Sequence, residues 1–176
     1  VDADTVFVGT NFGEGSMTES GYPRIVKLWK RGTPLSEAKL LYKGGVPSFM
    51  IRAFRAHSAG GDIDIIRDGT TFWTSEYYQL VDGTKRRLHL PVSATVGGAF
   101  QGRLIVSLKE DWKRGEITYP QGAVLVADTS ALHEDGDGVI DVLIEPDEST
   151  VVDSVNTTDS TILVTVLENV RGKIYR

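Results

Sequence analysis

The stretch AHSAGGD holds a histidine, a serine and an aspartate, which are the side-chain types of a serine hydrolase triad: His57, Ser58 and Asp62. A triad needs its members on separate elements that converge in space, and adjacency in sequence does not supply that arrangement. The paired glycines in the same stretch are typical of a connection between strands. We therefore interpret it as a Gly-rich connection and not as a catalytic site.

The stretch HEDGDGVIDVLIE has acidic residues at the spacing of a calcium-binding loop. When Gly138 is aligned with the glycine of an EF-hand loop, Asp135 and Asp137 fall on ligand positions. The first ligand position then falls on His133 and the final bidentate position on Ile144, so two essential ligands are missing. We predict a solvated hairpin turn here, and we predict no metal-ligating residues.

A basic run, Lys85, Arg86 and Arg87, follows the dipeptide Asp82-Gly83. It could bind an acidic peptide or nucleic acid, but such a run is also typical of an outer-edge hairpin whose charges discourage pairing with other strands. The net charge of −5 and the scatter of lysine and arginine along the chain give no concentrated positive field for phosphates. We favour the edge hairpin and predict no nucleic-acid partner.

Two further motifs receive structural interpretations. Asn156–Thr158 fits the acceptor pattern for N-glycosylation, and without any sign of secretion we interpret it as a surface loop. The aromatic residues Trp73, Tyr77 and Tyr78 lie between predicted strands. We expect their rings to fill space between neighbouring sheets and not to form a ligand cage.

Length and composition limit the classes of protein to which this chain can belong. The 176 residues suffice for one domain with a substantial core, and no run of about 18 apolar residues predicts a membrane span. The first residues lack the basic and apolar regions of a signal peptide. The absence of cysteine excludes disulfides, thiolate catalysis and Cys-ligated zinc. We expect a cytoplasmic protein without a cofactor, although a cysteine-free chain is equally compatible with the periplasm.

The apolar pattern is that of short strands separated by Gly, Pro and Asp-Gly, which predicts an all-β fold. Turns are predicted at Asp68-Gly69, Asp82-Gly83, Asp135-Gly136 and Asp137-Gly138. The best helical candidate, Pro34–Ala38, is about one turn long. The predicted strands are Thr5–Gly9, Arg24–Lys30, Lys39–Lys43, Phe49–Arg55, Ile63–Arg67, Thr70–Trp73, Tyr77–Val81, Arg86–Val92, Arg103–Leu108, Ala123–Asp128, Val139–Glu145, Val151–Val155, Thr161–Val166 and Lys173–Tyr175.

Three stretches, AKLLYKGGVPS, RRLHLPVSAT and IDVLIEPDEST, look alike, because each is an apolar strand that ends on a Pro or Gly break. With Tyr42, Leu90 and Glu145 taken as equivalent, the repeat is about fifty residues, which is the size of a four-stranded β-propeller blade. A sandwich or jelly roll is the alternative all-β architecture. The self-similarity favours consecutive four-stranded antiparallel blades of a propeller.

A more specific signal begins with VFVGTNFGEGSMTESGYPRIVKLWKRGTPLSEAKLLYKG, where Gly-Thr ends a strand and Phe-Gly, Ser-Gly-Tyr-Pro-Arg and Trp-Lys-Arg-Gly-Thr-Pro-Leu follow. This stretch resembles part of the N-terminal β-propeller of the prolyl oligopeptidase family of serine peptidases. The resemblance continues in RAFRAHSAGGDIDIIRDGTTFWTSEYYQL, RLHLPVSATVGGAFQGRLIVSLKEDW, TYPQGAVLVAD and STILVTVLENVRGKIYR. Ala123 stands where the family usually has Ser, and Glu168 where it has Asp. The resemblance covers nearly the whole chain, and Ser20–Leu35 is its most specific part.

The resemblance implies a seven-bladed propeller that caps an α/β-hydrolase domain, whose nucleophile sits in a Gly-x-Ser-x-Gly turn. That turn does not occur here, since Ser16 follows a glycine but has none two residues on. His57, His89 and His133 have no family match as the catalytic base. We therefore predict no catalytic, cofactor-binding or metal-binding residues. Residues 1–176 would be a partial propeller domain without the hydrolase domain of the parent protein.

At about fifty residues per blade, the chain would supply three to four blades. We expect an open arc cut from the ring, with exposed blade edges that favour self-association. A closed or partly closed four-unit assembly is the alternative arrangement.

By resemblance, the parent enzyme hydrolyses short peptides by serine acylation, and its propeller restricts access to the active site. This chain would then act as a gate, with peptide substrate and the hydrolase domain in cis as its partners. The alternative is a free-standing β-propeller or β-sandwich module that binds a peptide or protein. The hypothesis of an independent hydrolase or of a calcium-binding protein would depend only on the AHSAGGD and HEDGDGVIDVLIE motifs.

Overall fold

The computed structural model of the protein describes residues 2–145, 147 and 149–176. Within these residues, regular structure consists of β-strands and two short 3₁₀ turns, Leu35–Glu37 and Ser130–Leu132. No helix among them is long and apolar enough to cross a membrane. The prediction of an all-β fold is confirmed, and the helical candidate Pro34–Ala38 corresponds to the first of the two turns.

The strands are short and follow the alternating apolar segments of the sequence. In chain order they are β1 (Thr5–Val8), β2 (Ile25–Lys30), β3 (Lys39–Lys43), β4 (Met50–Ala56), β5 (Ile63–Gly69), β6 (Ser75–Val81), β7 (Thr84–Leu88), β8 (Thr95–Phe100), β9 (Arg103–Ser107), β10 (Trp112–Arg114), β11 (Ile117–Tyr119), β12 (Val124–Ala127), β13 (Ile140–Ile144), β14 (Thr150–Thr157), β15 (Ile162–Glu168) and β16 (Arg171–Tyr175).

Consecutive strands pair in antiparallel fashion into four sheets. Their strand orders are β1-β2-β3, β4-β5-β6-β7, β8-β9-β12-β13 and β14-β15-β16, and a separate hairpin, β10-β11, is inserted between β9 and β12. Each sheet is thus built from one continuous stretch of chain, as expected for consecutive blades. Two of the sheets have the predicted four strands.

The repeat inferred from the sequence marks the same place in three of these sheets. Tyr42 lies in β3, Leu90 follows β7 closely, and Glu145 comes directly after β13. These are the last strands of their sheets, and each lies at a sheet edge. The apolar residue followed by a Pro or Gly break is therefore the signature of the point where the chain leaves one sheet for the next.

Several strand predictions were wrong in instructive ways. Thr70–Trp73 is not a strand but the turn between β5 and β6, and β7 ends at Leu88, before the predicted end at Val92. Strand β8 was missed because the pair Gly97-Gly98 interrupts its apolar pattern. Strands β10 and β11 were missed because three residues are too few to show a period.

The predicted turn at Asp68-Gly69 was also wrong, since both residues belong to β5. The Asp68 side chain is buried, and its Oδ2 accepts a hydrogen bond of 2.7 Å from the Tyr42 hydroxyl. Its other oxygen, Oδ1, is buried without a hydrogen-bond partner among the described residues. Asp82-Gly83, by contrast, forms the predicted turn between β6 and β7, with positive φ at both residues.

The chain divides into two compact units. The first comprises the chain up to Arg55 together with Asp64–Leu88, and it contains the sheets β1–β3 and β4–β7. Its core lies where the faces of these two sheets meet, and burying one such apolar side chain contributes about 1.5–3 kcal/mol. The buried members of this core are Val26, Tyr42, Ile51 and Ile66.

The second unit comprises Ala56–Ile63 and His89–Arg176. It repeats the same construction with the sheets β8-β9-β12-β13 and β14–β16. The central strands of the former sheet are the most deeply buried, whereas its last strand, β13, is half-exposed to exposed. One buried cluster of this core consists of Ile105, Val124 and Val126, against which Phe100, Leu143, Ile144, Val152, Val155 and Ile162 pack.

The bond between Tyr42 and Asp68 gives a first prediction. Tyr42→Phe removes the one hydrogen bond that the described residues give to the buried Asp68 carboxylate. We therefore expect a loss of about 1–3 kcal/mol at neutral pH in urea denaturation. Tyr175→Phe is the control, because its hydroxyl bonds Glu168 at an exposed site, and a change within about 0.5 kcal/mol is expected. Equal stability of both variants with the wild type would contradict the assignment.

The same bond predicts a pH dependence. Burial, reinforced by the bond to Asp68, raises the pKa of the Tyr42 hydroxyl above its unfolded value of about 10. The stability that the neutral hydroxyl contributes is therefore fully present below that value and is lost as the pH rises toward the folded pKa. Urea denaturation above pH 10 should show a smaller loss of stability for Tyr42→Phe than for the wild type.

Candidate functional site

The first strands of neighbouring sheets are the candidate functional surface, because propeller sheets surround a central channel. In the second unit, β8 and β14 are the first strands of their sheets and are direct neighbours. A cavity of about 520 Å³, which we call the β8–β14 cavity, lies between them. Its lining includes Thr95, Gly97, Ser107, Lys109, Asp153 and Ser154.

The lining of the β8–β14 cavity combines these polar residues with apolar side chains such as Ile105, Val124 and Val152. Hydroxyl groups and side chains of both charges can pair with the backbone donors and acceptors of an extended peptide. At Gly97 a side chain would meet no atom within 4 Å of its Cβ, so the backbone there borders open space. No histidine occurs among the described residues that line the cavity.

A second, smaller cavity occupies the equivalent place in the first unit. It has a volume of about 290 Å³ and lies between residues of β1 and β4, the first strands of the two sheets there. Its lining includes Phe7, Pro23, Met50 and Arg52. The repeated construction therefore produces a cavity beside the first strands in each unit.

The turn between β5 and β6, residues 70–74, which we call the aromatic turn, corrects the prediction for Trp73. Trp73 was expected in the core, but 87% of its surface is exposed, because the segment is a turn and not a strand. Tyr77 is buried as predicted. The Tyr78 ring packs 5.4 Å from the ring of Tyr42, on the sheet that faces its own.

His57, Ser58 and Asp62 lie in the connection between β4 and β5, as predicted, and do not form a triad. His57 Nδ1 is 3.1 Å from Asp62 Oδ1, at an exposed site. The Ser58 hydroxyl donates to the Gly61 carbonyl and accepts the Gly102 N–H at 2.8 Å. Ser58 therefore ties the connection to the turn between β8 and β9.

The acidic stretch around Asp135 and Asp137 lies between the second 3₁₀ turn and β13. Both aspartates are exposed, as predicted for a solvated segment, and the connection is longer than the predicted tight hairpin turn. Gly136 is packed so closely on the Ser130 carbonyl that a Cβ would overlap it. No group of three or more His, Asp or Glu side chains that could hold a metal ion occurs within residues 2–145, 147 and 149–176.

The basic run lies on β7, the edge strand of its sheet, as predicted. Arg87 donates a 2.6 Å hydrogen bond to Glu76, and the Lys85 ammonium lies 4.6 Å from the centre of the Tyr42 ring. Arg87 is thus paired within its own sheet, and Lys85 contacts a ring on β3 of the neighbouring sheet. These are contacts of an edge hairpin and do not require an anionic ligand.

The remaining candidates have local structural roles. Asn156–Thr158 is exposed, but its first two residues end β14 and are not part of a loop. Ser16 is buried, and its hydroxyl accepts the Phe12 N–H at 2.9 Å. The His89 backbone N–H donates to the Leu132 carbonyl, and the His133 carbonyl accepts a bond from Arg114.

Sequence comparison identifies peptidases as relatives of this chain. It is 28% identical over 182 residues to an uncharacterized peptidase of Sinorhizobium fredii, covering 99% of this chain and 25% of that protein. It is 24% identical over 184 residues to an uncharacterized peptidase of Rickettsia prowazekii, with the same coverage of both chains. The chain thus spans about a quarter of the length of these relatives. No family model matches the sequence.

Two solved structures share the fold. A post-proline cleaving enzyme from Rickettsia typhi superposes with a TM-score of 0.88 at 21% identity, over 98% of this chain and 26% of that one. Oligopeptidase B from Trypanosoma brucei, in its closed form with covalently bound antipain, gives a TM-score of 0.66 at 21% identity, over 98% of this chain and 23% of that one. The fold is that of the propeller domain of prolyl oligopeptidases. The sequence relatives are peptidases, so the resemblance to the propeller of this peptidase family is confirmed.

The structural interpretation of the AHSAGGD stretch gives a third prediction. A Cβ on Gly60 would overlap the backbone of Gln101, so Gly60→Ala must displace the connection from the β8–β9 turn. We expect a destabilisation of about 1–3 kcal/mol, measured by thermal unfolding. Gly172→Ala in β16 is the control, because nothing lies within 4 Å of its Cβ. If the two variants were equally stable, the packing of the connection on that turn would be disproved.

Proposed function

We propose that this chain, residues 1–176, is a non-catalytic propeller segment of a serine peptidase of the prolyl oligopeptidase type, and that it restricts which peptides reach the hydrolase active site. The observation that carries the proposal is the match of nearly the whole chain to one quarter of a post-proline cleaving enzyme. Both curated relatives are peptidases and show the same one-quarter coverage.

Catalysis is assigned to the part of the parent protein that this chain does not include. The His57 ring faces Asp62, whereas the neighbouring Ser58 hydroxyl is engaged by backbone groups. A serine nucleophile needs a base within hydrogen-bond reach, and this pair does not provide one. An α/β-hydrolase domain in cis would supply the Gly-x-Ser-x-Gly nucleophile, the aspartate and the histidine.

The gating role is assigned to the first strands. Peptides that approach along a propeller channel pass the strands nearest its axis, and β8 and β14 are such strands. The β8–β14 cavity offers hydroxyls and both charges to a passing peptide backbone. A wall of fixed strands admits a short flexible peptide more readily than a folded chain. The cytoplasm stays the predicted compartment, and self-association through the sheet edges stays a prediction.

Filling the β8–β14 cavity tests the gate in the full-length protein. Gly97→Trp places an indole where the backbone borders open space, so the fold should tolerate it. We expect kcat/KM for peptide hydrolysis to fall on the order of tenfold, and to fall further as the peptide lengthens. Labelling of the active-site serine by a small reagent should be unchanged, since a small molecule needs less room.

Gly172→Trp is the matched control, because Gly172 also borders open space but lies on the last strand, β16. It should leave kcat/KM at the wild-type value for every peptide length. Wild-type kinetics in folded Gly97→Trp would remove the gating role. A full-length protein that hydrolyses no peptide at all would refute the peptidase assignment and favour a free-standing binding module.

A further inference from the structure

The aromatic turn, residues 70–74, carries the two largest of the exposed apolar side chains described in the first unit. Trp73 is 87% exposed and Phe72 is 68% exposed, and none of the five residues of the turn carries a charge. Val46, in the connection that leads to β4, is 85% exposed as well. Exposed aromatic clusters of this kind mark interaction surfaces more often than they mark ordinary protein surface.

The backbone of the turn is held firmly by three threonines. The Thr71 hydroxyl oxygen accepts the backbone N–H groups of Trp73 and Thr74, each at 3.1 Å. The Thr70 N–H donates to the Thr74 carbonyl at 3.0 Å, and the two hydroxyls of this pair lie 2.8 Å apart. The turn therefore presents its aromatic residues from a preformed backbone, which reduces the entropy that binding would cost.

The two aromatic rings of the turn differ in how closely other residues pack against them. Phe72 packs on Phe49 with ring centres 4.4 Å apart, and Phe49 packs in turn on Tyr22 at 4.8 Å. This row of rings anchors Phe72 to the sheet. Trp73, beside it, is 87% exposed, so the described residues of its own unit cover little of its apolar surface.

From this arrangement we infer that the aromatic turn is a docking knob, and that Trp73 inserts into an apolar pocket on the part of the parent protein that this chain lacks. The inference rests on the proposed function, because it requires the longer chain that the relatives possess. The match covers only 25% of each curated relative, so about three quarters of a chain of that length lies outside this segment and is where we place the pocket.

The shape of the knob selects a folded partner. A side chain that exposes nearly all of its surface projects outward and does not form a concave site. A small peptide ligand, by contrast, binds in a concave site that covers most of the peptide's surface. Tryptophan is enriched among the residues that dominate protein–protein contacts, where it fills a pocket on the partner. The pocket should be apolar, with one hydrogen-bond acceptor for the indole N–H.

Hydroxyl-radical footprinting of the full-length protein tests the inference, with two other tryptophans as internal references. Trp112 is buried and Trp29 is half-buried, so their oxidation rates define the protected range. We expect Trp73 to oxidise at a rate close to that of Trp112. Oxidation of Trp73 faster than both references, as its exposure in this unit would give, would overturn the inference.

Dilution and added peptide separate the other occupants. Protection of Trp73 that disappears on dilution would show that the partner is a second copy of the protein. Protection that requires added peptide would show that the partner is the substrate. Either result overturns the inference. Trp73→Ser in the full-length protein should lower the unfolding temperature, whereas Ile117→Ser, at another exposed apolar position, should not. No shift with Trp73→Ser would also count against docking.

Peptide hydrolysis measured on the same preparations distinguishes this inference from the proposed function. A protein that hydrolyses peptides while Trp73 oxidises fast retains the peptidase assignment and loses the docking knob. A protein that protects Trp73 but hydrolyses no peptide retains the knob and loses the assignment.

Discussion

The packing of one sheet's face against the face of the next sheet is the interaction on which the rest of this structure depends. No sheet of three or four strands here can bury its apolar residues by itself. Val26 and Tyr42 of the first sheet are buried only because Ile51 and Ile66 of the second lie against them. The same relation joins the sheets of the second unit around Val124. Repeated architectures are stable because each unit covers its neighbour in this way.

Because of this packing, burial depends on the position of a strand in its sheet. Central strands such as β9 and β12 are buried and hold each unit together. Last strands such as β7 and β16 are almost fully exposed and carry charged residues, which protects the sheet edges from pairing with other chains. The first strand β8 alternates between exposed and buried residues, so one of its sides faces away from the core. The candidate functional features, the β8–β14 cavity and the aromatic turn, lie beside first strands and in a turn, respectively.

The sequence could predict the repeat because packing demands it. The apolar strand that ends on a Pro or Gly break recurs near Tyr42, Leu90 and Glu145, because at the end of each sheet the chain must leave that sheet and enter the following one. The errors arise where tertiary contacts override local signals. Asp68-Gly69 has turn composition, yet the Tyr42 hydroxyl provides a partner for a buried Asp68, and β5 continues through the dipeptide.

The candidate site was less accessible to sequence analysis. A cavity between β8 and β14 joins residues that are distant in the chain, and the glycines of β8 concealed that strand altogether. Tryptophan is a residue type that is commonly found in protein cores. The hydrogen bonds that the Thr71 hydroxyl accepts from the backbone show that Trp73 lies in a turn and not in the sheet. One signal was present: Thr-Thr-Phe-Trp-Thr carries threonines that can close a turn through their side chains.

The central claim is that these sheets are consecutive blades from the propeller of a longer peptidase. The most direct measurement is the sequence of the reading frame beyond the codon for Arg176 in the source genome. The claim predicts that the frame continues through further strands of the same repeat to a hydrolase domain with a Gly-x-Ser-x-Gly turn. A frame that stops close to Arg176, or continues into an unrelated domain, would contradict it.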